Sequence, residues 1–274
     1  MSLFGPKRPL GAEEWEWQLA AFRWLLDEFG GLEAHRTGIL ATPDGDCFPD
    51  AVLTGDARAE ELLGQIMGIA GIGDWPVRLV MDDGEPNFRP VSQMHAVVPE
   101  TGKAMGTFQG VDDGQGGWMA EIVASRQLLG DEAALVATLA HEVAHYFLCG
   151  TDRPMPGGED CHELLTDLTA VALGFGIFLG NNARYARHQY ADGGGQWFMA
   201  GAQGYLSERA LMCALAISET LVGRDPMAAA PYLKRHLAAD LRDAARYAAK
   251  RDLIADIMAI DLADYGVPAA GVRS

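Results

Sequence analysis

One segment with the pattern of a buried helix carries two histidines and a glutamate at its centre. From Asp131 onward, apolar residues recur at helical spacing, and residues 141–145 of this stretch read His-Glu-Val-Ala-His. Positions four apart lie on one face of a helix, so His141 and His145 project to the same side. Because their neighbours are apolar, these polar groups need partners or they destabilise the fold. Whatever the chain folds into must therefore bring polar groups or an ion to this helix.

The spacing of these residues favours a zinc site over an accidental arrangement. Neutral imidazole nitrogens bind Zn²⁺ at about 2.0–2.1 Å, and two histidines four apart present them together. Glu142 adjoins His141 and points to the open side, where a carboxylate could take a proton from a water activated by the ion. The alternative is two histidines on a surface helix with an unrelated glutamate between them. The apolar flanks argue against that alternative, and we predict a Zn²⁺ site with Glu142 as general base.

A pair of carboxylates further along the chain supplies a candidate third ligand. Glu163 and Asp167 are four apart at the head of an almost wholly apolar stretch, residues 168–179. Buried carboxylates are costly unless they are paired or bound to a metal ion. We therefore expect Glu163 to bind the ion, with His162 and Asp160 as alternatives, and Asp167 to hydrogen-bond a ligand histidine. The competing interpretation, acids that complement a helix dipole, explains Asp160 better than Asp167.

The order of these motifs resembles a known class of enzyme. H-E-x-x-H followed by E-x-x-x-D on a later helix is similar to the gluzincin type of zinc metallopeptidases, the thermolysin-like group. The resemblance implies His141, His145 and Glu163 as ligands, Glu142 as general base and Asp167 as the partner of His141. It covers about 40–50 residues, and the wider segment also resembles a group of uncharacterised bacterial proteins. No specific substrate comes with it.

Two further roles follow from this class of enzyme. In zincins a strand before the metal helix borders the cleft and pairs with extended peptide, and residues 118–125 occupy that place here. A downstream Tyr or His usually stabilises the oxyanion; Tyr205 is the first candidate, and His188 and Tyr190 are the next. Each of the three could instead serve only to anchor a loop. Cys149 and Cys161 flank the loop between the metal helices, and they are either soft ligands or packed thiols.

The coarse pattern of elements predicts an α+β, zincin-like fold. A small mixed or antiparallel sheet is expected before the metal-binding helices and a helical C-terminal part. The expected helices cover 12–29, 56–70, 131–150, 159–180 and 206–221, with another opened by Asp225 and Pro226; the expected strands cover 76–81, 94–99, 105–111 and 118–125, with a hairpin at 37–53. We divide the chain into an acidic helix and hairpin region (1–75), the metal-site domain (76–222) and the helical C-terminal part (223–274), which could together form one continuous domain.

Charge and cysteine content restrict the partners and the compartment. With 21 basic and 38 acidic residues the chain has a net charge of −17, which argues against nucleic acid as a partner. The four cysteines form no C-x-x-C pair, and residues 1–10 contain no secretory signal. The apolar stretch of residues 168–179 is too short for a bilayer. We therefore expect a cytoplasmic protein without a membrane partner. The oligomeric state stays open.

Together these features predict a zinc-dependent hydrolase, a peptidase by preference, that acts on a peptide or protein substrate. The alternative is a catalytically idle zincin-like module with a binding or regulatory role. A third interpretation is an amidase with a non-peptide substrate, which the same motif would serve equally well.

Overall fold

The architecture is α+β, as expected. This computed structural model describes residues 7–49, 52–83, 106–112, 114, 116–189 and 205–268, with the backbone alone described for 184–189. In this part of the chain, three α-helices precede a three-stranded sheet and six follow it. The α-helices are α1 (Ala12–Glu28), α2 (Gly31–Arg36), α3 (Asp56–Ile69), α4 (Glu132–Leu148), α5 (His162–Ala170), α6 (Gly176–Gln189), α7 (Glu208–Val222), α8 (Arg235–Ala248) and α9 (Leu253–Met258). The strands are β1 (Val77–Asp82), β2 (Gly106–Asp112) and β3 (Trp118–Ser125), and short 3₁₀ turns cover Arg126–Gly130, Glu159–Cys161, Pro226–Tyr232 and Leu262–Tyr265.

The small sheet is mixed, with β3 at its centre. β1 pairs with β3 in parallel and β2 pairs with it in antiparallel fashion, so the order is β1-β3-β2. The expectation that residues 118–125 offer an edge to substrate is therefore wrong, because hydrogen bonds to β1 and β2 occupy both sides of this strand. Its alternate residues Ala120, Ile122 and Ala124 are fully buried, which suits a central strand covered by a helix. The strand at the edge beside α4 is β2.

Helix α4, which carries the His-Glu-Val-Ala-His segment, lies at the centre of the fold. It begins at a cap in which the Asp131 side chain accepts a hydrogen bond from the backbone N–H of Ala134. Leu135, Leu139 and Val143 are buried on this helix. It packs against the sheet, α3, α5 and α6, so the residues of the segment are held by elements on several sides.

The hairpin expected at residues 37–53 is wrong. Residues 37–49 and 52–53 contain turns, bends and irregular backbone and no strand. The N–H of Ala41 instead donates to the carbonyl oxygen of Gly174 at 3.0 Å. That carbonyl is accessible because a π-helical turn, Val171–Phe175, separates α5 from α6, and Gly174 within it has a φ of 106°. The single helix predicted over 159–180 is therefore interrupted, and it continues to Gln189.

The other expected elements within the described residues are confirmed to within a few residues, and the strand expected at 94–99 lies outside them. The helix that Asp225 and Pro226 were expected to open is a 3₁₀ turn, Pro226–Tyr232, and α8 follows it.

The division into three regions stays a prediction, and buried residues from each, such as Trp24, Leu139 and Leu241, join one hydrophobic cluster. The helical stretch Glu159–Ala183, which includes the π-helical turn, is long and apolar enough to cross a membrane, but 83% of its most apolar window is buried, as in a central core helix.

Candidate metal centre

Three candidate ligand atoms converge between α4 and α5. The Nε2 atoms of His141 and His145 lie 3.1 Å apart. Glu163 Oε2 is 3.2 Å from the Nε2 of His141 and 3.5 Å from that of His145. A tetrahedral zinc ion with bonds of about 2.0–2.1 Å separates its ligand atoms by about 3.3 Å. The three distances match that spacing, so these side chains could hold a metal ion.

The far nitrogen of each imidazole meets an oxygen atom of α5. Asp167 Oδ1 lies 3.0 Å from His141 Nδ1, and Thr166 Oγ1 lies 3.3 Å from His145 Nδ1. A carboxylate can only accept a hydrogen bond, so His141 carries a proton on Nδ1 and turns Nε2 towards the other candidate ligands. The second carboxylate oxygen of Asp167 accepts from the backbone N–H of Leu206 at 2.9 Å. The carboxylate therefore links α5 both to α4 and to the segment before α7.

The arrangement of these atoms requires a positive charge among them. Two nitrogen lone pairs and a carboxylate oxygen at these distances repel one another unless a proton or a metal ion lies between them. Burial alone would lower the pKa of His141, but its hydrogen bonds to Asp167 and Glu163 raise it well above its ordinary value. The pKa of Glu163 is held well below its ordinary value, because the neighbouring histidines outweigh its burial. A metal ion would displace the proton that these groups hold.

Glu142 lies next to this cluster on the sheet side of α4. Its side chain is only 5% exposed. Burial raises its pKa, against the opposing effect of His145 and His141. The backbone of Gly106, at the start of β2, lies directly against this carboxylate. A buried carboxylate with a raised pKa beside a candidate metal site is suited to accept a proton and give it back.

The other residues singled out in the sequence lie around this centre or outside the described side chains. The ring of Tyr205 lies 5.5 Å from that of His141, centroid to centroid. His162 stacks on His145 at 5.0 Å and is not a member of the ligand group. His188 lies in α6, where only the backbone is described, and Tyr190 lies outside the described residues. The choice of oxyanion donor therefore stays a prediction.

The remaining alternative ligands do not join the cluster. Within the described part of the chain, the group that could hold a metal consists of His141, His145 and Glu163, without Asp160, Cys149 or Cys161. The structure thus brings together the three preferred candidates.

Sequence reasoning missed two residues of this site. These residues are Thr166, a threonine within a predicted helix, and Gly106, a glycine at the start of a predicted strand, and neither position suggests a functional role by itself. The available signal for Thr166 was its position three residues after Glu163, on the same side of α5. No local signal marked Gly106, because its importance depends on how closely β2 approaches α4.

Comparisons of the chain with models of protein families, with curated proteins and with solved structures found no match.

Proposed function

We propose that this chain is a zinc-dependent hydrolase of the gluzincin type that cleaves an amide bond, with a peptide or protein as its substrate. The observation that carries the proposal is the triangle formed by the ligand atoms of His141, His145 and Glu163, with side lengths of 3.1, 3.2 and 3.5 Å. Three protein ligands leave a fourth tetrahedral position open, as in catalytic zinc sites. Glu163 is 24% exposed, so the cluster reaches the protein surface.

The chain supplies the groups that such a hydrolysis needs. Zinc at this site would act as a Lewis acid and lower the pKa of a coordinated water to about 7. Glu142 accepts a proton from the attacking water and then delivers it to the leaving nitrogen, so the carboxylate is regenerated. Asp167 keeps His141 in the tautomer that a ligand needs. Tyr205, beside His141, is the proposed donor to the oxyanion.

The position of β2 supports a peptide as the substrate. Its partner β3 occupies one side, and within the described residues no strand pairs with the other side. An extended peptide adds readily to such an edge through backbone hydrogen bonds. Because Glu142 touches the first residue of β2, a peptide along this edge would run past the general base.

The proposal is tested by metal analysis and a digest of a peptide library with the zinc-loaded protein. The wild type should bind one zinc ion and cleave peptides, Glu142→Gln should keep the zinc without cleavage, and His145→Ala should bind zinc weakly. Equal cleavage by Glu142→Gln would remove Glu142 from the mechanism. Zinc without any cleavage would favour the idle binding module, and a wild type without zinc would overturn the proposal.

A further inference from the structure

Two consecutive residues of α5 hold the two ligand imidazoles through different chemical groups. Asp167, a carboxylate, faces His141, and Thr166, a neutral hydroxyl, faces His145. The sequence resemblance assigns a partner to His141 alone. The hydroxyl partner of His145 is additional, and its chemistry can be derived from its other contact.

The direction of the hydrogen bond between Thr166 and His145 follows from the single proton of the hydroxyl. Thr166 Oγ1 lies 2.9 Å from the carbonyl oxygen of His162, one turn earlier in the helix, and this carbonyl can only accept. The hydroxyl of Thr166 therefore donates its proton to the carbonyl oxygen of His162. In the contact with His145, Thr166 Oγ1 is then the acceptor and Nδ1–H is the donor. In the neutral ring, Nε2 is then the unprotonated nitrogen, and it faces His141 and Glu163.

We infer that Thr166 is a positioning residue that fixes the tautomer and the ring orientation of His145 for a metal ion. This inference rests on the proposed metal site. Thr166 is fully buried, so no water replaces the hydroxyl readily once it is removed. A neutral acceptor is weaker than a carboxylate, so Thr166 contributes less to metal affinity than Asp167 does. The two histidines are thereby oriented with unequal strength.

The α5 helix itself offers a matched control for this role. Thr169 is also buried, and within the described residues its hydroxyl oxygen has no hydrogen-bond partner. Thr169→Val makes the same replacement of a hydroxyl by a methyl group in the same helix, at a position whose hydroxyl does not hydrogen-bond to a candidate ligand histidine. Thr166→Ser keeps the hydroxyl that the inference requires.

The first measurement is the zinc dissociation constant, obtained by competition with a chromophoric chelator. Removal of a group that orients a ligand typically costs 10–100-fold in metal affinity. We expect Thr166→Val to bind zinc about 10-fold more weakly than the wild type. Thr166→Ser and Thr169→Val should stay close to the wild-type value. Equal affinity in Thr166→Val, or an equal loss in Thr169→Val, would overturn the inference.

The second measurement reads the hydrogen bond directly and does not depend on whether Thr166→Val folds. In zinc-loaded wild-type protein with ¹⁵N-labelled histidine, the Nδ1–H of His145 should give a downfield proton resonance that exchanges slowly with water. This resonance should persist in Thr166→Ser and Thr169→Val. A wild-type spectrum in which His145 lacks a hydrogen-bonded Nδ1–H would overturn the inference.

The two proposals can fail separately because neither readout is turnover. A protein that binds zinc but cleaves nothing would contradict the hydrolase proposal, and the affinity series would still decide the role of Thr166. A wild type that takes up no zinc would overturn both.

Discussion

Gly106 and Glu142 lie so close together that a side chain at residue 106 would collide with the carboxylate. A Cβ atom there would be 2.8 Å from Glu142 Oε1 and 2.7 Å from the methyl group of Thr138. The edge strand β2 and the helix α4 therefore pack against each other at residue 106 with no side chain of β2 between them. The glycine sets how near the strand can come to the proposed general base.

We predict that Gly106→Ala lowers the rate of amide hydrolysis about 10- to 100-fold, because displacement of a catalytic group by about 1 Å has effects of this size. Zinc content should not change, since a Cβ at residue 106 would meet Thr138 and Glu142 and none of the three candidate ligands. Steady-state kinetics and metal analysis of the purified variant check both statements.

The control for this prediction is Gly110→Ala, four residues further along β2 and on the same face of the strand. A Cβ at residue 110 would meet the indole of Trp118 at 2.5 Å and not Glu142. Trp118 is 40% exposed and can move aside, so Gly110→Ala should retain most of the activity. Equal losses in the two variants would show that β2 tolerates an added methyl group at neither glycine, and that Gly106 has no particular relation to Glu142.

A second prediction concerns the two hydrogen bonds of Asp167. Asn has one acceptor oxygen, so in Asp167→Asn either His141 or the buried N–H of Leu206 faces an amide NH₂ group. We expect zinc affinity to fall about 10–100-fold and the free energy of unfolding to fall by about 1–3 kcal/mol. Chelator competition and urea denaturation measure the two effects. The matched variant Asp160→Asn, at the start of the same helical stretch, should leave zinc affinity unchanged; a loss there would restore Asp160 as a ligand.

Features set by helical geometry were predictable from the sequence, and those set by the approach of distant elements were not. The spacing of His141 and His145, and of Glu163 and Asp167, places each pair on one helix face wherever the helix lies. The role of Thr166 depends on the distance between α4 and α5, which no local pattern encodes. The same holds for residues 37–53, whose turn residues suggested a hairpin. In this segment the N–H of Ala41 instead donates a hydrogen bond to the carbonyl oxygen of Gly174, which lies in the π-helical turn.

A third prediction concerns the stability that a metal ion at the proposed site would provide. Such an ion would bind the folded site and not the unfolded chain, so free zinc at 100 times its dissociation constant should stabilise the wild type by about 2.7 kcal/mol. For a chain of this size this raises Tm by roughly 5–10 °C. The metal-free protein should stay folded, because the hydrophobic cluster extends well beyond the site. Differential scanning calorimetry with and without zinc tests this, and an equal shift in His145→Ala would show that the zinc binds elsewhere.

A fourth prediction is a dependence of stability on pH that originates far along the sequence from the ligands, at His35. Burial lowers its pKa below the ordinary value of 6.5, and Arg224 acts in the same direction against Ser218 and Glu219. The unfolded chain therefore takes up a proton more readily than the folded one. The contribution of His35 is complete above about pH 6.5 and is lost as the pH falls towards the lower pKa of the folded state.

The variant His35→Gln isolates this contribution, since Gln can still hydrogen-bond to Ser218. Between pH 7 and pH 5 its free energy of unfolding, measured with urea in the presence of a chelator, should decline less than that of the wild type. Parallel curves for the two proteins would exclude His35 as the source of the pH dependence.

The fifth prediction concerns the interruption of the helix that carries Glu163, Thr166 and Asp167. Gly174 has a φ of 106°, and a Cβ there would lie 2.1 Å from the carbonyl oxygen of Ile39. Both the backbone strain and the collision oppose any side chain, so Gly174→Ala should lower the free energy of unfolding by about 2–3 kcal/mol or more. Gly64→Ala, in the middle of α3 with open space around its Cβ, should instead be neutral or stabilise by about 0.5–1 kcal/mol. Because the interruption lies just after α5, Gly174→Ala should also weaken zinc binding, whereas Gly64→Ala should not. Urea denaturation and zinc titration of the two variants test this prediction. A loss of stability in Gly174→Ala alone would confirm that the backbone conformation and the close contact at residue 174 oppose a side chain. Equal destabilisation of the two variants would instead indicate that alanine is unfavourable at glycine positions in these helices generally.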